Sequence, residues 1–239
     1  MFFEPKGLPL ARVLDHHIPL KSNFEPTNQR PYRYPYIQRA VIEKLVQEIL
    51  DTSIIQPSHS HFASPVLLVG KKDGTWRFCV NYKKLNEGTI KDKYPIPMIE
   101  KLLDELRGAQ MFSKIDLRAG YHQVRVHPPD VYNTTFRTHV GHFKFKVMLF
   151  GLTNAPATFQ ALMNHMFQPY LKKFVLVFFD DILIYSPNLE AHVKHLNYVL
   201  QLLREHQLHA KFTECSFAQP QIEYLGHLIG NKGIAADYH

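Results

Sequence analysis

The chain has 239 residues, 45% of them hydrophobic, which is enough to bury a sizeable core and excludes a disordered protein. Its formal net charge of +7 favours an acidic partner such as nucleic acid, and its two cysteines exclude a disulfide framework. No apolar run approaches the roughly 18 residues of a membrane span, so we expect a soluble intracellular protein without a membrane partner.

The first 36 residues contain six prolines, a density that predicts an extended arm rather than a helix. Basic and aromatic residues alternate over 30–36, a pattern that suits either contact with nucleic acid or packing over the body of the fold. Residues 37–50 form the first predicted helix, with apolar side chains at helical spacing: Ile37, Val41, Leu45 and Ile49.

Residues 64–82 predict a hairpin of two strands joined by a turn at 72–74, where Gly74 permits tight geometry. Lys71 and Arg77 fall on opposite arms near its tip. Two cations in this position suit a polyphosphate, and charges equally protect the edge of a solvated hairpin. These residues alone leave both interpretations open.

The middle of the chain predicts a helix, a strand and a second hairpin. Residues 94–108 suit a helix with Pro97 in its first turn and Gly108 at its end. A short strand ends at Asp116, whose carboxylate suits either a metal ligand or a helix N-cap. Residues 134–148 then predict a hairpin with Gly141 in its turn.

Later segments predict two helices and a strand. Residues 150–160 suit a loop that enters a helix, with Asn154 as its cap and Gly151 allowing close approach of a ligand. The pairs His192/His195 and His206/His209 are each spaced three apart on helical faces; zinc would need two more ligands, so these histidines are expected to be solvated. Residues 222–229 predict a strand interrupted by Gly226, with a turn at 230–233. The helix that follows residues 186–187 is expected to bury Leu189, Val193, Leu196, Leu200 and Leu203.

The stretch 174–185 carries the strongest chemical signal. Two apolar, β-branched and aromatic runs flank Asp180 and Asp181, so the pair is predicted to form the two-residue tip of a buried hairpin. Adjacent carboxylates repel, and burying them unpaired is costly unless a cation neutralises them. An ordinary acidic turn is the alternative, but such turns favour glycine and this one has none.

If the strand ending at Asp116 and this hairpin are neighbours in one antiparallel sheet, three carboxylates converge on one edge. Hard oxygen ligands in that number suit Mg²⁺, and a pair of such ions serves in-line displacement at phosphorus. With Lys71 and Arg77 to neutralise a triphosphate, the constellation predicts nucleotidyl transfer. A two-metal nuclease needs similar carboxylates but not the triphosphate clamp.

These motifs, in this order and spacing, resemble the reverse transcriptase of gypsy-type LTR-retrotransposon polyproteins. The resemblance extends over residues 8–233. The matching segments are 30–36, 64–86, 94–97, 112–124, 150–160, 175–186 and 224–227.

The resemblance implies an α+β right-hand polymerase fold with fingers and an antiparallel palm sheet packed on helices. Fingers are expected over about 37–110 and 124–148, and palm over about 111–123 and 149–233, after the extended arm at 1–36. Residues 234–239 lie before the position where the family has a thumb, so the thumb is expected to be essentially missing. The resemblance also implies further polyprotein domains as partners, namely protease, ribonuclease H and integrase, which are likewise expected to be absent from this chain.

The resemblance also assigns roles to individual residues. The catalytic and metal-binding carboxylates are Asp116, Asp180 and Asp181. The nucleotide-binding residues are Lys71, Arg77, Leu117, Arg118, Tyr121, Phe150 and Gly151, with Leu117 and Arg118 offering backbone N–H groups to phosphates. The primer-binding residues are Tyr224, Leu225, Gly226 and His227.

The implied activity is that of an RNA-directed DNA polymerase of a retrotransposon. Its cofactors are two Mg²⁺ ions, with Mn²⁺ as an alternative, and its partners are an RNA or DNA template with primer and deoxynucleoside triphosphates. Three positions depart from the family pattern: Asn81 replaces Asp, Leu149 replaces Pro, and Glu214 replaces a Lys that resembles the proton donor to pyrophosphate. These departures and the missing thumb motivate the alternative of a catalytically decayed fragment that folds or binds nucleic acid without polymerising.

Overall fold

The structure is a computed structural model that describes residues 1–3, 7–71, 74–231 and 233–236. Its helices and strands are, in chain order, α1 (Tyr36–Asp51), β1 (Ile55–Pro57), β2 (Ser64–Gly70), β3 (Trp76–Val80), α2 (Lys83–Gly88), α3 (Ile99–Leu103), β4 (Met111–Asp116), β5 (Phe136–Arg137), β6 (His142–Phe145), α4 (Ala155–Phe167), β7 (Val175–Phe178), β8 (Asp181–Ser186), α5 (Leu189–Glu205), β9 (Ser216–Gln219), β10 (Gln221–Tyr224), β11 (His227–Gly230) and β12 (Gly233–Ala236). The chain divides into two compact units: residues 1–5, 94–120 and 156–239 form the first, and residues 6–93 and 121–155 form the second.

The first unit contains an antiparallel four-stranded sheet in the order β7-β8-β4-β9 and a three-stranded sheet in the order β10-β11-β12. Strands β4, β7 and β8 are rich in apolar residues because both faces of this sheet are covered. Helix α5 packs against β8 and β4. One apolar cluster links the leucines of residues 99–106 to the sheets: Leu102, Leu103, Leu106, Phe112, Leu176, Leu183, Tyr185, Ile222, Tyr224 and Ile229.

The second unit contains a five-stranded sheet in the order β1-β6-β5-β2-β3, antiparallel except for the pair β2–β5. Helix α1, predicted over 37–50, covers Tyr36–Asp51 and buries Ile42 and Val46. The predicted arm is extended: in residues 7–35 the described backbone makes isolated bridges rather than helices or ladders, for example His16 with Val126.

The helix predicted over 94–108 is shorter than expected and lies in a different unit. It begins at Ile99 because Pro95 and Pro97 disfavour helical backbone at the residues before them, so Pro97 lies outside the helix. It continues as a 3₁₀ turn over Asp104–Leu106. Residues 94–110, which the resemblance assigned to the fingers, fall in the first unit because their leucines join its apolar cluster. Residues 121–123 and 149–155, which the resemblance assigned to the palm, fall in the second unit.

Helix α5 buries Leu203 as predicted and leaves Leu196 and Leu200 half-buried, but the first part of the predicted inner face is exposed. Leu189 and Val193 are 55% and 51% exposed, whereas His192 is fully buried. The two ring nitrogens of His192 lie 2.7 Å from the Ser113 hydroxyl and 2.9 Å from the Ser186 hydroxyl. Burial lowers the pKa of His192, so the expectation of a solvated histidine was wrong. The two hydroxyl groups supply hydrogen-bond partners for both ring nitrogens, which offsets the cost of burying a neutral imidazole.

Two further local predictions change. Residues 222–229 are a hairpin rather than one interrupted strand: β10 and β11 pair antiparallel, and Leu225 and Gly226 form the turn with φ of 50° and 74°. The predicted cap Asn154 precedes α4, but its side chain bonds the backbone of Ile90 and Asp92 instead. In the described ranges, no helix combines the length and apolar character that crossing a bilayer requires.

Candidate functional site

The hairpin β7–β8 carries the acidic pair, with a register shifted by one residue from the prediction. Phe178 pairs with Asp181, so the two-residue turn is Phe179 and Asp180, and Asp181 is the first residue of β8. Phe179 has a φ of 51°, a left-handed conformation that costs a non-glycine residue about 1–3 kcal/mol. Something outside the turn must therefore hold it.

That support is Gln160, a fully buried residue of α4. Its side-chain oxygen accepts a hydrogen bond from the Phe179 N–H at 2.9 Å, and its amide donates to the Val177 carbonyl at 3.2 Å. Gln160 is not among the site residues that the sequence motifs predicted. A glutamine among apolar residues at helical spacing, in Phe159–Met163, was the available signal.

The structure brings the three predicted carboxylates to one sheet edge. Asp116 ends β4 and lies directly opposite Asp181 of β8, and such partners have Cβ atoms roughly 4.5–5.5 Å apart. The Leu117 N–H donates to the carbonyl of Asp180 at 3.2 Å, which ties the turn to the end of β4. A Cβ built on Gly120 would lie 3.2 Å from the Asp180 Cβ, so Gly120 approaches this turn closely. The predicted neighbourhood of the strands is confirmed.

The electrostatics of this edge disfavour three negative charges. Burial, then the charges of Asp181, Glu214 and Asp180, raises the pKa of Asp116 to about 6. Burial also raises the pKa values of Asp180 and Asp181, and Glu214 adds to both shifts. Lys114 acts in the opposite direction on Asp116 and Asp181. A bound cation would stabilise the charged forms of these three carboxylates.

The donor set fits a divalent metal. All three side chains are half-buried carboxylates, which are the hard oxygen ligands that Mg²⁺ and Mn²⁺ prefer. A bound cation would also offset the repulsion between the carboxylates, which together with burial raises the pKa of Asp116.

The backbone of Leu117 and Arg118 does not offer the N–H groups expected from the resemblance. The Leu117 N–H donates to the Asp180 carbonyl, and the Arg118 N–H donates to the His209 carbonyl at 2.9 Å. Leu117 also forms an isolated bridge with Ala210. Because both N–H groups already donate to backbone carbonyls, a phosphate could bind them only by displacing those hydrogen bonds.

In the second unit, Lys71 and Arg77 lie near the tip of the hairpin β2–β3, and both are exposed. Arg77 pairs with Val69, and the Lys71 N–H bonds the Thr75 carbonyl at 2.8 Å. Since side chains alternate along a strand, Lys71 and Arg77 share one face of the hairpin. Residues 72–73 of the predicted turn lie outside the described residues.

The second unit also brings Tyr121 and Phe150 together. Their rings meet edge to face with centroids 5.7 Å apart, and Phe150 is 78% exposed. Gly151 adopts a φ of 96°. Asn86, which sequence analysis missed, fixes this loop by donating to the Gly151 carbonyl at 2.7 Å and accepting from the Thr153 N–H at 3.0 Å.

A groove of about 610 Å³ lies beside this loop in the second unit. Gly151 and Asn81 line it together with three exposed charged residues, Lys83, Lys91 and Glu87, which leave one net positive charge. An open, basic groove beside a glycine loop is a suitable surface for a nucleic-acid backbone.

The predicted primer-binding residues form the β10–β11 turn, and they differ in accessibility. Tyr224 is 1% exposed, and its hydroxyl donates to the Asp181 carbonyl at 3.4 Å. Burial raises its pKa strongly. Tyr224 therefore positions the strand that bears Asp181, whereas Leu225, Gly226 and His227 keep accessible surface.

The three departures from the family pattern have distinct surroundings. Asn81 donates to the Tyr32 hydroxyl at 3.0 Å, and Leu149 is buried. Glu214 forms an ion pair with Lys211, whose own N–H donates to the Asp116 carbonyl at 3.0 Å. Glu214, where the family has a lysine, is thus close to the carboxylate cluster and is paired with Lys211.

Comparison with known proteins agrees with these features. Residues 69–229, more than half of the chain, match the family model described as "Reverse transcriptase (RNA-dependent DNA polymerase)". The Retrovirus-related Pol polyprotein from transposon 297 of Drosophila melanogaster is 35% identical over 97% of this chain. The Transposon Tf2-3 polyprotein of Schizosaccharomyces pombe is 37% identical over 86%. The chain spans only 22% and 15% of these two relatives, respectively.

Two solved structures share the fold. The foamy viral protease-reverse transcriptase in complex with RNA/DNA hybrid superposes with a TM-score of 0.85 at 20% identity, covering 95% of this chain and 30% of that chain. The form in complex with ds DNA gives a TM-score of 0.85 at 21% identity, covering 95% and 40%. Both place the chain in the α+β fingers-and-palm fold.

Proposed function

This chain belongs to the reverse transcriptase (RNA-dependent DNA polymerase) family, and from that premise we propose that it catalyses template-directed nucleotidyl transfer as an RNA-directed DNA polymerase. One observation carries the proposal: Asp116 and Asp181 pair across β4 and β8, with Asp180 in the adjoining turn. An ordinary acidic turn would not need a third carboxylate from a neighbouring strand.

Asp116, Asp180 and Asp181 would hold divalent cations, and we propose Mg²⁺, with Mn²⁺ as an alternative. When bound, such ions supply charge neutralisation and activation of an attacking hydroxyl. The chain itself contributes rigid placement, because β4 and β8 fix two carboxylates and Gln160 and Leu117 fix the turn that carries the third.

The second unit carries groups suited to the nucleotide and the template. Lys71 and Arg77 share one face and supply two positive charges for a triphosphate. The Tyr121–Phe150 pair offers an apolar surface to a sugar or base. Lys83 and Lys91 in the groove beside Gly151 suit template phosphates.

For the primer, we propose the turn at Leu225 and Gly226 together with His227. These residues have accessible surface, and phosphate and sugar contacts from a turn position a strand without reading its sequence. Tyr224 supports this turn from within the core.

We further propose that the chain comes from a gypsy-type LTR-retrotransposon polyprotein and acts inside the cell on an RNA or DNA template with primer. Its resemblance to the Pol polyproteins of transposon 297 and Tf2-3 supports this origin. Protease, ribonuclease H and integrase domains would be its neighbours in the longer polyprotein.

The test is single-nucleotide primer extension on an RNA template with Mg²⁺, with duplex binding measured in parallel. We expect short products from the wild type and from the control Asp104→Asn, which changes an exposed carboxylate of the same unit. Asp181→Asn should bind duplex and give no product. Absence of product from the wild type, with duplex binding intact, would instead support a decayed copy.

A further inference from the structure

A second cluster of potential metal ligands lies in the second unit and is separate from the aspartate triad. Among the described residues, His17, His127 and Asp130 are the group whose histidine nitrogens and carboxylate oxygens all lie within 4.8 Å of one another. His17 belongs to the N-terminal arm, His127 precedes a 3₁₀ helix, and Asp130 lies in its first turn. Two histidines and one carboxylate are the ligand types of a zinc site with an open fourth position.

The distances favour a metal over simple ion pairs. The Nδ1 atoms of both His17 and His127 lie 3.5 Å from the same oxygen, Asp130 Oδ2. That separation is too long for a good N–H···O hydrogen bond. Both histidine–aspartate distances match the ligand-to-ligand edge of a tetrahedral site, about 3.4 Å for metal–ligand bonds of about 2.05 Å, and the two histidine ligand atoms lie within 4.8 Å of each other.

The carboxylate of Asp130 is already oriented by neighbours. The Ile18 N–H donates to Oδ2 at 3.1 Å, which leaves a second lone pair on the oxygen that faces both histidines. The Asn133 amide adds a weak contact, with its nitrogen 3.4 Å from Oδ1. Contacts of this kind, which fix the orientation of a ligand from outside, accompany metal sites generally.

The backbone fixes the two histidines beside each other. The His127 N–H donates to the His16 carbonyl at 2.9 Å, and the Asp130 N–H donates to the His127 carbonyl at 2.8 Å. The two imidazole rings lie with centroids 4.0 Å apart and planes 30° from parallel. In this arrangement the Nδ1 atoms of both rings lie beside the same oxygen, Asp130 Oδ2.

We propose that His17, His127 and Asp130 bind a single zinc ion that fastens the N-terminal arm to the 3₁₀ helix of residues 128–134. The ligands come from segments about 110 residues apart, so binding closes a long loop and stabilises the folded chain. Imidazole nitrogens select zinc over Mg²⁺, which prefers oxygen donors. This site is independent of the polymerase proposal.

The test titrates zinc alone into the full chain near neutral pH, against a chromogenic competitor. Both the wild type and an Asp116→Asn/Asp181→Asn background are used, because the background removes binding by the triad. We expect one tight equivalent in the Asp116→Asn/Asp181→Asn background and at least that one in the wild type, with at least a tenfold loss of affinity at this equivalent when His17→Ala/His127→Ala is introduced into either. The control His59→Ala/His61→Ala removes two exposed histidines outside the site and should keep the wild-type affinity.

Cobalt substitution supplies a second readout. Bound Co²⁺ should give the intense visible bands of a tetrahedral site in the wild type and lose them in His17→Ala. That variant changes a side chain that is 60% exposed, so the metal-free protein should keep its thermal midpoint. Zinc affinity that is equal in wild type and His17→Ala/His127→Ala, or octahedral cobalt spectra in both, would overturn the proposal.

Discussion

The side-chain oxygen of Gln160 accepts the backbone N–H of Phe179 at 2.9 Å, and this bond holds the strained turn that carries Asp180. The same side chain donates to the Val177 carbonyl, so one buried amide bonds both the end of β7 and the first residue of the turn. The position of Asp180 therefore depends on helix α4, which contributes no carboxylate to the cluster.

Replacing Gln160 with Leu should impair both stability and activity. The change leaves the Phe179 N–H and the Val177 carbonyl without their partner, at about 1–3 kcal/mol for each buried group. A turn displaced by about 1 Å should reduce nucleotide incorporation roughly 10- to 100-fold. Incorporation rates and denaturant midpoints of Gln160→Leu and of the exposed control Gln201→Leu measure these effects. An active Gln160→Leu enzyme would show that the turn keeps its geometry unaided.

Gly120→Ala should disturb the triad directly. The added Cβ would lie 2.9 Å from the Phe159 Cζ and 3.2 Å from the Asp180 Cβ, so the turn or the ring must move. We expect a loss of about 100-fold in incorporation. Gly70→Ala is the matched control for stability, since its nearest contact is 3.9 Å away and its φ needs no glycine. Equal incorporation by Gly120→Ala and the wild type would contradict this placement.

The stability of the metal-free protein should fall as pH rises from about 4 to about 6. The pKa of Asp116 is raised from 3.8 to about 6, so the folded state holds more protons than the unfolded state in that window, and stability is lost as the proton leaves. Asp116→Asn should remove much of this slope, and Asp104→Asn should retain it. Added Mg²⁺ should restore stability near neutral pH in the wild type more than in Asp116→Asn. Denaturant midpoints across this pH range provide the measurement.

Glu214→Gln should shift the acidic limb of the activity profile to lower pH. Glu214 adds to the burial that raises the pKa values of all three aspartates, so its removal favours their charged forms. Glu214→Lys should increase the rate further if a lysine there protonates pyrophosphate, an effect of up to about 10²–10⁴-fold. Single-turnover rates against pH distinguish these variants from the exposed control Glu223→Gln. An unchanged midpoint of the acidic limb in Glu214→Gln would show that Glu214 does not influence the protonation of the three aspartates.

Much of the architecture follows from local sequence patterns. The apolar runs around 174–185 gave the β7–β8 hairpin, and the helical spacing of 37–50 gave α1 nearly to its ends. Asp116 was correctly placed at a strand end beside the acidic pair. These predictions were correct because side-chain periodicity is a local property of strand and helix geometry.

The errors share a different origin. His192 is buried because Ser113 and Ser186 come from two strands that only the sheet brings together. The burial of Tyr224, about which the sequence made no prediction, has the same cause: β10 packs near β4, and the Tyr224 hydroxyl reaches the Asp181 carbonyl. Neither partner is near in sequence, so exposure inferred from residue type fails at these positions.

By itself, the sequence determined the carboxylate set, the cationic hairpin and the order of the elements, because each depends on residue type and short-range spacing. Only the tertiary structure decided that Asp181 belongs to β8 and Asp180 to the turn, that the Leu117 and Arg118 N–H groups are used by the sheet, and that Gln160 supports the turn. It also brought His17 to His127 and Asp130. The physical reason is that strand register, hydrogen-bond satisfaction and ligand clustering depend on contacts between segments far apart in the chain.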